Sequence, residues 1–295
     1  MSVRRTALSL GLAAGTLLAA TSVLPSQAAP IEQERSTALR YVALGDSYSA
    51  ATGVLPLDTT APPQCLRSTR NYPHLLADRL GARLTDVSCG AADTGDVQES
   101  QGQGIAPQLD AVSRSTDLVT MTIGGNDSGV FINSIAQCGA AGVSTAGMGS
   151  PCKDRYGKAF VETIRSTTLP SLKQALRAVH RRAPRAEVAI LGYPWIMPPT
   201  VGCYPQMPVA TGDVSYLFNL QRVLNNVVRR AARATDSVYV DVPKASRGHD
   251  ACQGIGRRWV EPVLLGTNPV IVHPNARGEA AMARIALRTL ARARE

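Results

Sequence analysis

"YVALGDSYSA", residues 41–50, carries an apolar, strand-like run into Gly45-Asp46-Ser47 and then straight into small and polar residues. A strand that breaks at a glycine leaves the next few residues at its carboxyl end, so Ser47 stands there either as a turn residue or as a nucleophile. Working outward, the strand at 39–44 is the first of five. A helix is predicted over 72–80, opened by Asn71 with Pro73 in its first turn and stopped by Gly81, and a second strand over 83–88. A third strand at 118–123 alternates Leu, Val, Thr, Met, Thr and Ile and ends at Gly124-Gly125. Helical periodicity over 157–182, interrupted at Pro170, precedes a fourth strand at 187–191. An amphipathic helix at 214–234, a fifth strand at 238–242 and an Ala/Arg-rich helix at 275–293 complete the pattern. Strands separated by helix-length segments specify one α/β domain, a five-stranded parallel sheet between helices. Two long, Gly-rich, cysteine-bearing excursions, 51–70 and 136–154, are expected as stapled surface loops.

With 295 residues, 44 % of them hydrophobic, the chain can bury one sizeable core. Arg4 and Arg5 precede an apolar run over 7–24 and then Pro25-Ser26-Gln27-Ala28, the pattern of a secretory signal peptide. Residues 1–28 are assigned to that signal and 29–295 to the mature domain, which is therefore expected to be secreted. Gly, Thr and Ser within the run argue against a membrane anchor. The chain carries +9 at neutral pH, and removal of Arg4 and Arg5 leaves 29 Lys and Arg against 22 Asp and Glu, or +7. Aromatic content of 4 %, with no zinc-finger or helix-turn-helix spacing, excludes nucleic acid as the expected partner. Contact with an anionic lipid surface is compatible with the charge. Six cysteines behind a signal point to three disulfides, and no cysteine has zinc-ligand spacing. Fifteen pairings exist, among which sequence alone does not choose. Nearest-neighbour pairing, Cys65–Cys89, Cys138–Cys152 and Cys203–Cys252, is expected because each closes one excursion between core elements.

In a doubly wound sheet, ligands sit at the carboxyl ends of strands. Ser47 comes after the first strand there. Gly90, in Ser88-Cys89-Gly90-Ala91 after the second, can offer an unhindered N–H or simply make a turn. Gly124-Gly125-Asn126-Asp127 comes after the third; Asn126 can cap a helix or aim its amide at a developing oxyanion. A serine nucleophile needs a base. Of four histidines, His74 and His180 lie in predicted helices, His249 lies inside the Cys203–Cys252 excursion, and His273, after an apolar run and before the last helix, is best placed.

Together Gly45-Asp46-Ser47, Gly90, Gly124-Gly125-Asn126-Asp127 and His273-Pro274-Asn275 resemble the four sequence blocks of the SGNH (GDSL) hydrolase family, in order and spanning nearly the whole mature chain. Within that family the chain resembles secreted actinobacterial lipases and phospholipases, which share a three-disulfide plan and the stretch His273 to Gly278. The resemblance implies the three-layer, flavodoxin-like SGNH-hydrolase fold. It also implies Ser47 as nucleophile, His273 as general base and later acid, and an oxyanion hole from the Ser47 and Gly90 N–H groups with the Asn126 side chain. Many family members carry an aspartate three residues before the histidine, where this chain has Val270, and no acid falls between Glu261 and His273. The resemblance therefore implies a Ser-His dyad whose imidazole is oriented by a main-chain carbonyl, that of Val270 or Ile271. Asp241 and Asp250 are the acids that could displace that reading.

The function implied is a secreted carboxylester hydrolase acting on lipid esters at an interface, a triacylglycerol lipase or esterase working as a monomer without metal or organic cofactor. Phospholipase A and carbohydrate O-deacetylase are alternatives within the class. A non-catalytic secreted binding protein is the alternative outside it, but a decayed site would have lost Ser47, Asn126 or His273, and all three are present. Val54, Leu55, Leu57 and residues 195–199 are expected to line an acyl groove.

Overall fold

The computed structural model describes residues 38–295; the signal segment expected at 1–28 lies outside the described residues. Five strands, β1 (Arg40–Ala43), β2 (Arg83–Asp86), β3 (Leu118–Met121), β4 (Glu187–Leu191) and β5 (Val238–Val240), form one parallel sheet in the order β2-β1-β3-β4-β5. The order reverses direction at β1, so a crevice opens between the carboxyl ends of β1 and β3.

Side chains alternate across this sheet, and both faces are buried. Val42, Val119, Met121, Val188 and Ile190 join one core cluster; Tyr41, Ala43, Leu118, Ala189 and Leu191 join another on the opposite face. The first is covered by α6 (Leu169–Arg182) and α7 (Val214–Arg233), the second by α2 (Tyr72–Leu80) and α9 (Ala276–Ala293). This is the three-layer arrangement. Helix α2 begins and ends as its sequence dictates: Asn71 Oδ1 accepts from the His74 N–H, and Gly81 closes the helix at φ +59°. Its first N–H, from Tyr72, donates to the buried Glu279 carboxylate at 2.7 Å, tying α2 to α9. Burial raises the Glu279 pKa well above its ordinary value, against the lowering effect of that bond.

Three local expectations are corrected. Residues 136–154 are mostly helix, in α3 (Val130–Ser144) and α4 (Pro151–Tyr156), and Cys138–Cys152 links the two. The glycines that suggested a loop serve close approach instead: a Cβ on Gly142 would lie 2.2 Å from the Pro208 carbonyl oxygen. At Pro170 the helix changes pitch rather than stopping. Between α5 (Ala159–Thr163) and α6, residues Ile164–Thr168 widen into a π-turn that relieves the proline ring's pressure on the preceding turn. Val242 leaves the fifth strand and opens α8 (Val242–Ala245), because the Asp241 side chain accepts from the Lys244 N–H and starts a helix there. The remaining disulfides, Cys65–Cys89 and Cys203–Cys252, fasten the segments after α1 (Ser47–Ala50) and after β4.

Candidate active site

Ser47 is the first residue of α1, immediately beyond β1, and is 8 % exposed. The turn that delivers it needs glycine at position 45. Gly45 has φ +122°, and a Cβ there would lie 2.4 Å from the Thr122 carbonyl oxygen and 2.5 Å from Ser49 Oγ. Gln108 clamps the same residue from both sides, accepting from the Gly45 N–H at 2.6 Å and donating to its carbonyl at 3.0 Å. Asp46 caps α1 by accepting from the Tyr48 N–H, and it also accepts from Thr122 Oγ1 at 2.7 Å and Tyr193 OH at 2.5 Å. Burial pushes the Asp46 carboxyl up to about 6, against the lowering effect of these donors.

Across the crevice, His273 Nε2 lies 2.8 Å from Ser47 Oγ. His273 Nδ1 lies 2.7 Å from the Ile271 carbonyl oxygen. A carbonyl only accepts, so Nδ1 carries the proton; in the neutral ring Nε2 is then the acceptor and the Ser47 hydroxyl donates to it. The arrangement can move the serine proton onto the imidazole. Of the two carbonyls considered, the ring meets that of Ile271 and not that of Val270. Neither Asp241, which caps α8 and faces Arg229 at 3.6 Å, nor Asp250, which accepts from the Cys252 N–H, bonds to the ring. Burial lowers the His273 pKa below its ordinary value, and the Ile271 carbonyl offsets part of that.

The segment carrying His273 is held in an unusual backbone state. Val272 has φ +54°, a left-handed conformation that a β-branched residue rarely adopts. Three hydrogen bonds fix it. Tyr48 OH donates to the Val272 carbonyl at 2.6 Å, the Val272 N–H to the Glu261 carbonyl at 2.9 Å, and the Glu261 N–H to the His273 carbonyl at 2.9 Å. The Glu261 carboxylate makes no bond to the imidazole. It accepts from the buried Arg258 at 2.8 Å, from Asn275 at 2.7 Å and from Thr267 N–H at 2.7 Å. Burial alone would raise its pKa, but the donors together hold it below the ordinary glutamate value.

The oxyanion donors named from sequence are unequally placed. Asn126 Nδ2 donates one hydrogen to the Ala92 carbonyl at 2.9 Å, which leaves the second amide hydrogen to another acceptor. The Gly90 N–H donates to the Cys65 carbonyl at 2.9 Å. The Asn126 loop is registered to the serine turn by a relay: the Gly125 N–H donates to Tyr193 OH at 2.9 Å, and Tyr193 OH donates to Asp46. The Tyr193 ring meets Tyr48 edge-on at 5.1 Å, and Tyr48 in turn packs 5.2 Å from His273. Beside Asn126, Asp127 accepts from the Thr94 N–H and hydroxyl, and burial pushes its carboxyl up to about 7.

Tyr48, Tyr193, Gln108 and Glu261 are the residues that sequence reading missed. Tyr48 sits beside Ser47, but its hydroxyl's partner is 224 residues away, and no local pattern announces that. The other histidines bond elsewhere: His74 to Asn71, His180 to Ser237, and His249 to the Arg257 carbonyl while stacked on Trp259. Val54 and Leu55 line a cleft of about 350 Å³ with Pro269 and Asn275, flanking the His273 segment. Of residues 195–199, Ile196 and Met197 are buried and line a small apolar cavity with Phe131 and Ile135, and Trp195, Met197, Pro198 and Pro199 line a separate cleft.

A three-layer α/β sheet with a serine and an imidazole in contact at the switch point, beside a Gly-Gly-Asn loop, defines the SGNH class of ester hydrolases. The profile of the GDSL-like Lipase/Acylhydrolase family matches residues 43–281, and the chain belongs to that family. It is 54 % identical to Lipase 2 of Streptomyces coelicolor over 284 residues, covering 96 % of this chain and 95 % of that protein. It is 33 % identical to a lipase of Streptomyces rimosus, covering 90 % of this chain and 92 % of the relative. Among solved structures, phospholipase A1 from Streptomyces albidoflavus NA297 superposes with a TM-score of 0.70 at 29 % identity, covering 86 % of this chain and 99 % of that one.

Proposed function

We propose that the protein is a secreted triacylglycerol lipase that works through an acyl-Ser47 intermediate, with residues 29–295 as the mature domain. The observation that carries the mechanism is the 2.8 Å contact between Ser47 Oγ and a His273 ring whose other nitrogen is spoken for by the Ile271 carbonyl. Ser47 Oγ attacks the ester carbonyl carbon while its proton passes to His273 Nε2. The tetrahedral oxyanion is met by the Ser47 N–H and the uncommitted Asn126 amide hydrogen, and by the Gly90 N–H as it exchanges its Cys65 acceptor for the oxyanion. Collapse expels the alcohol, which takes the proton back from His273. A water then repeats the sequence on the acyl-enzyme and releases the fatty acid. The imidazolium is steadied by a neutral carbonyl instead of a carboxylate, so its stabilisation is dipolar.

The Streptomyces relatives, which are lipases, favour triacylglycerol, as does a structural neighbour that is an extracellular lipase of Streptomyces rimosus. Three disulfides fit an oxidising destination. Phospholipase A is the second reading, favoured by the phospholipase A1 neighbour. Initial rates on a triacylglycerol emulsion and on phosphatidylcholine dispersions at matched interfacial area, with Ser47→Ala as blank, separate the two. Faster Ser47-dependent triacylglycerol turnover supports the lipase; faster phospholipid turnover replaces it with the phospholipase; no Ser47-dependent turnover on either removes both.

A further inference from the structure

The positive charge of this protein is concentrated. Setting aside Arg4, Arg5, Arg35, Glu32 and Glu34, the described residues hold 28 Lys and Arg against 20 Asp and Glu, a net +8. A cleft of about 480 Å³ between α7 and α8 is lined by Arg222, Arg229, Lys244 and Arg247, with Asp241 as its one acid. An adjoining cleft, sharing Asn226 and Arg229, adds Arg165, Arg230 and Arg233 and no acid. Seven cations and one acid give these two clefts +6, leaving +2 for the remaining described residues.

The cations are spread out. Arg222, Asn226, Arg229 and Arg233 succeed one another at helical spacing along one face of α7, a stripe about 16 Å long at 1.5 Å per residue. All seven except the half-buried Arg229 are exposed. A stripe of that length fits an extended anionic surface better than a single small anion. The cleft starts at the carboxyl ends of β4 and β5, the end of the sheet that carries Ser47, and β1 lies three strand spacings from β5, about 14 Å. Exposed apolar side chains stand in the segments that start from the same end: Leu55 after α1, Val201 and Tyr204 after β4, Ile255 and Leu265 in the segment leading to His273, with Leu55 and Ile255 lining one cleft. Cations flanking exposed apolar tips are the composition that holds a protein on a negatively charged lipid interface.

We infer that the basic stripe of α7 and α8 is a docking surface for anionic lipid, holding the Ser47 end of the sheet against negatively charged interfaces. The inference deepens the lipid-ester reading and rests on it for its purpose, but not for its measurement. Binding is measured by co-sedimentation of the mature, oxidised Ser47→Ala protein with vesicles of phosphatidylcholine alone or with phosphatidylglycerol added, so that no turnover occurs. In that background Arg222→Gln/Lys244→Gln/Arg247→Gln is compared with Arg284→Gln/Arg288→Gln/Arg292→Gln, which removes the same charge from exposed positions on α9, across the sheet.

Phosphatidylglycerol is expected to tighten binding of the parent protein. The α7–α8 triple should lose most of that gain, at about fivefold per cation, and the α9 triple should keep it. Equal losses in both triples would reduce the effect to net charge and overturn the inference. So would indifference to phosphatidylglycerol, or binding to soluble polyphosphate in its place. With Ser47 restored, the α7–α8 triple should hydrolyse a soluble short-chain ester as the parent does. Absence of Ser47-dependent turnover of both triacylglycerol and phosphatidylcholine by the parent itself would sink the lipid-ester reading and leave the vesicle result standing.

Discussion

The two halves of the site meet at one hydrogen bond and are built in opposite ways. Ser47 stands on a short strand-to-helix turn shaped by its own residues, a glycine that admits no Cβ and an aspartate cap, and clamped from distant parts of the chain by Gln108, Thr122 and Tyr193. His273 stands on an irregular segment after β5. No regular element shapes it: Tyr48, from the serine turn, holds Val272, and the neighbouring Arg258–Glu261–Asn275 cluster holds the segment behind it. A nucleophile can be placed by a local backbone shape, because its hydroxyl needs only to project. A base must be aimed at both ends of its ring, which takes partners from two directions.

Removing either end of that contact should have the largest effect. Ser47→Ala and His273→Ala are each expected to cost at least about 10⁴-fold in kcat with little change in thermal unfolding, and fluorophosphonate labelling should vanish in the first. If both variants retained wild-type rates, the dyad would be wrong. Glu261→Gln tests the remote support of the histidine side. It leaves a buried Arg258 without its anion, and breaking such a pair costs about 3–5 kcal/mol, read as a lowered denaturation midpoint. A midpoint unchanged from wild type would show that Arg258 finds compensation elsewhere.

Asn126→Ala removes the side-chain donor and should cost about 2.7–4 kcal/mol of transition-state stabilisation, lowering kcat more than it raises KM. A pure KM effect would make Asn126 a binding residue. Tyr48→Phe keeps the ring against His273 but frees the Val272 carbonyl. It is expected to lower kcat about tenfold with KM nearly constant, as for a positioning residue. Unaltered kcat would show that the backbone bonds to Glu261 suffice. The smallest effect is on pH. Protonated His273 cannot accept the Ser47 proton, and burial favours the neutral ring, so kcat/KM should rise with pH through a single midpoint below the ordinary 6.5. A midpoint above that value that persists in Asp127→Asn would mean that a carboxylate reaches the ring in solution.

Much of the fold was legible because it is written in short-range patterns. The boundaries of α2 come from Asn71, Pro73 and Gly81 alone, and the apolar run after Glu187 marks β4. The errors fell where a residue's usual meaning was overruled from a distance. Gly142 read as a loop residue, but α3 needs it small where the chain at Pro208 crosses it. Within the site, Ser47, Gly90 and Asn126 were picked out by their places beyond the strand ends and His273 as the best placed of four histidines, and their roles came from the resemblance to the SGNH blocks. That the Gly90 N–H donates to Cys65 could not be read, since it depends on how the disulfide-linked segment 51–70 folds back.

The sequence by itself determined the parallel sheet and the short roster of polar residues at the strand ends, because periodicity, turn chemistry and strand-end placement are properties of neighbours along the chain, and the resemblance of four short blocks supplied the family. Only the tertiary structure decided that Ile271 and not Val270 faces the imidazole, and that Tyr48 and Tyr193 wire the serine turn to the histidine and asparagine segments. It alone gathered seven cations onto two adjoining clefts. Those facts depend on directions and distances between groups up to 226 residues apart, which the chain acquires only when its layers pack.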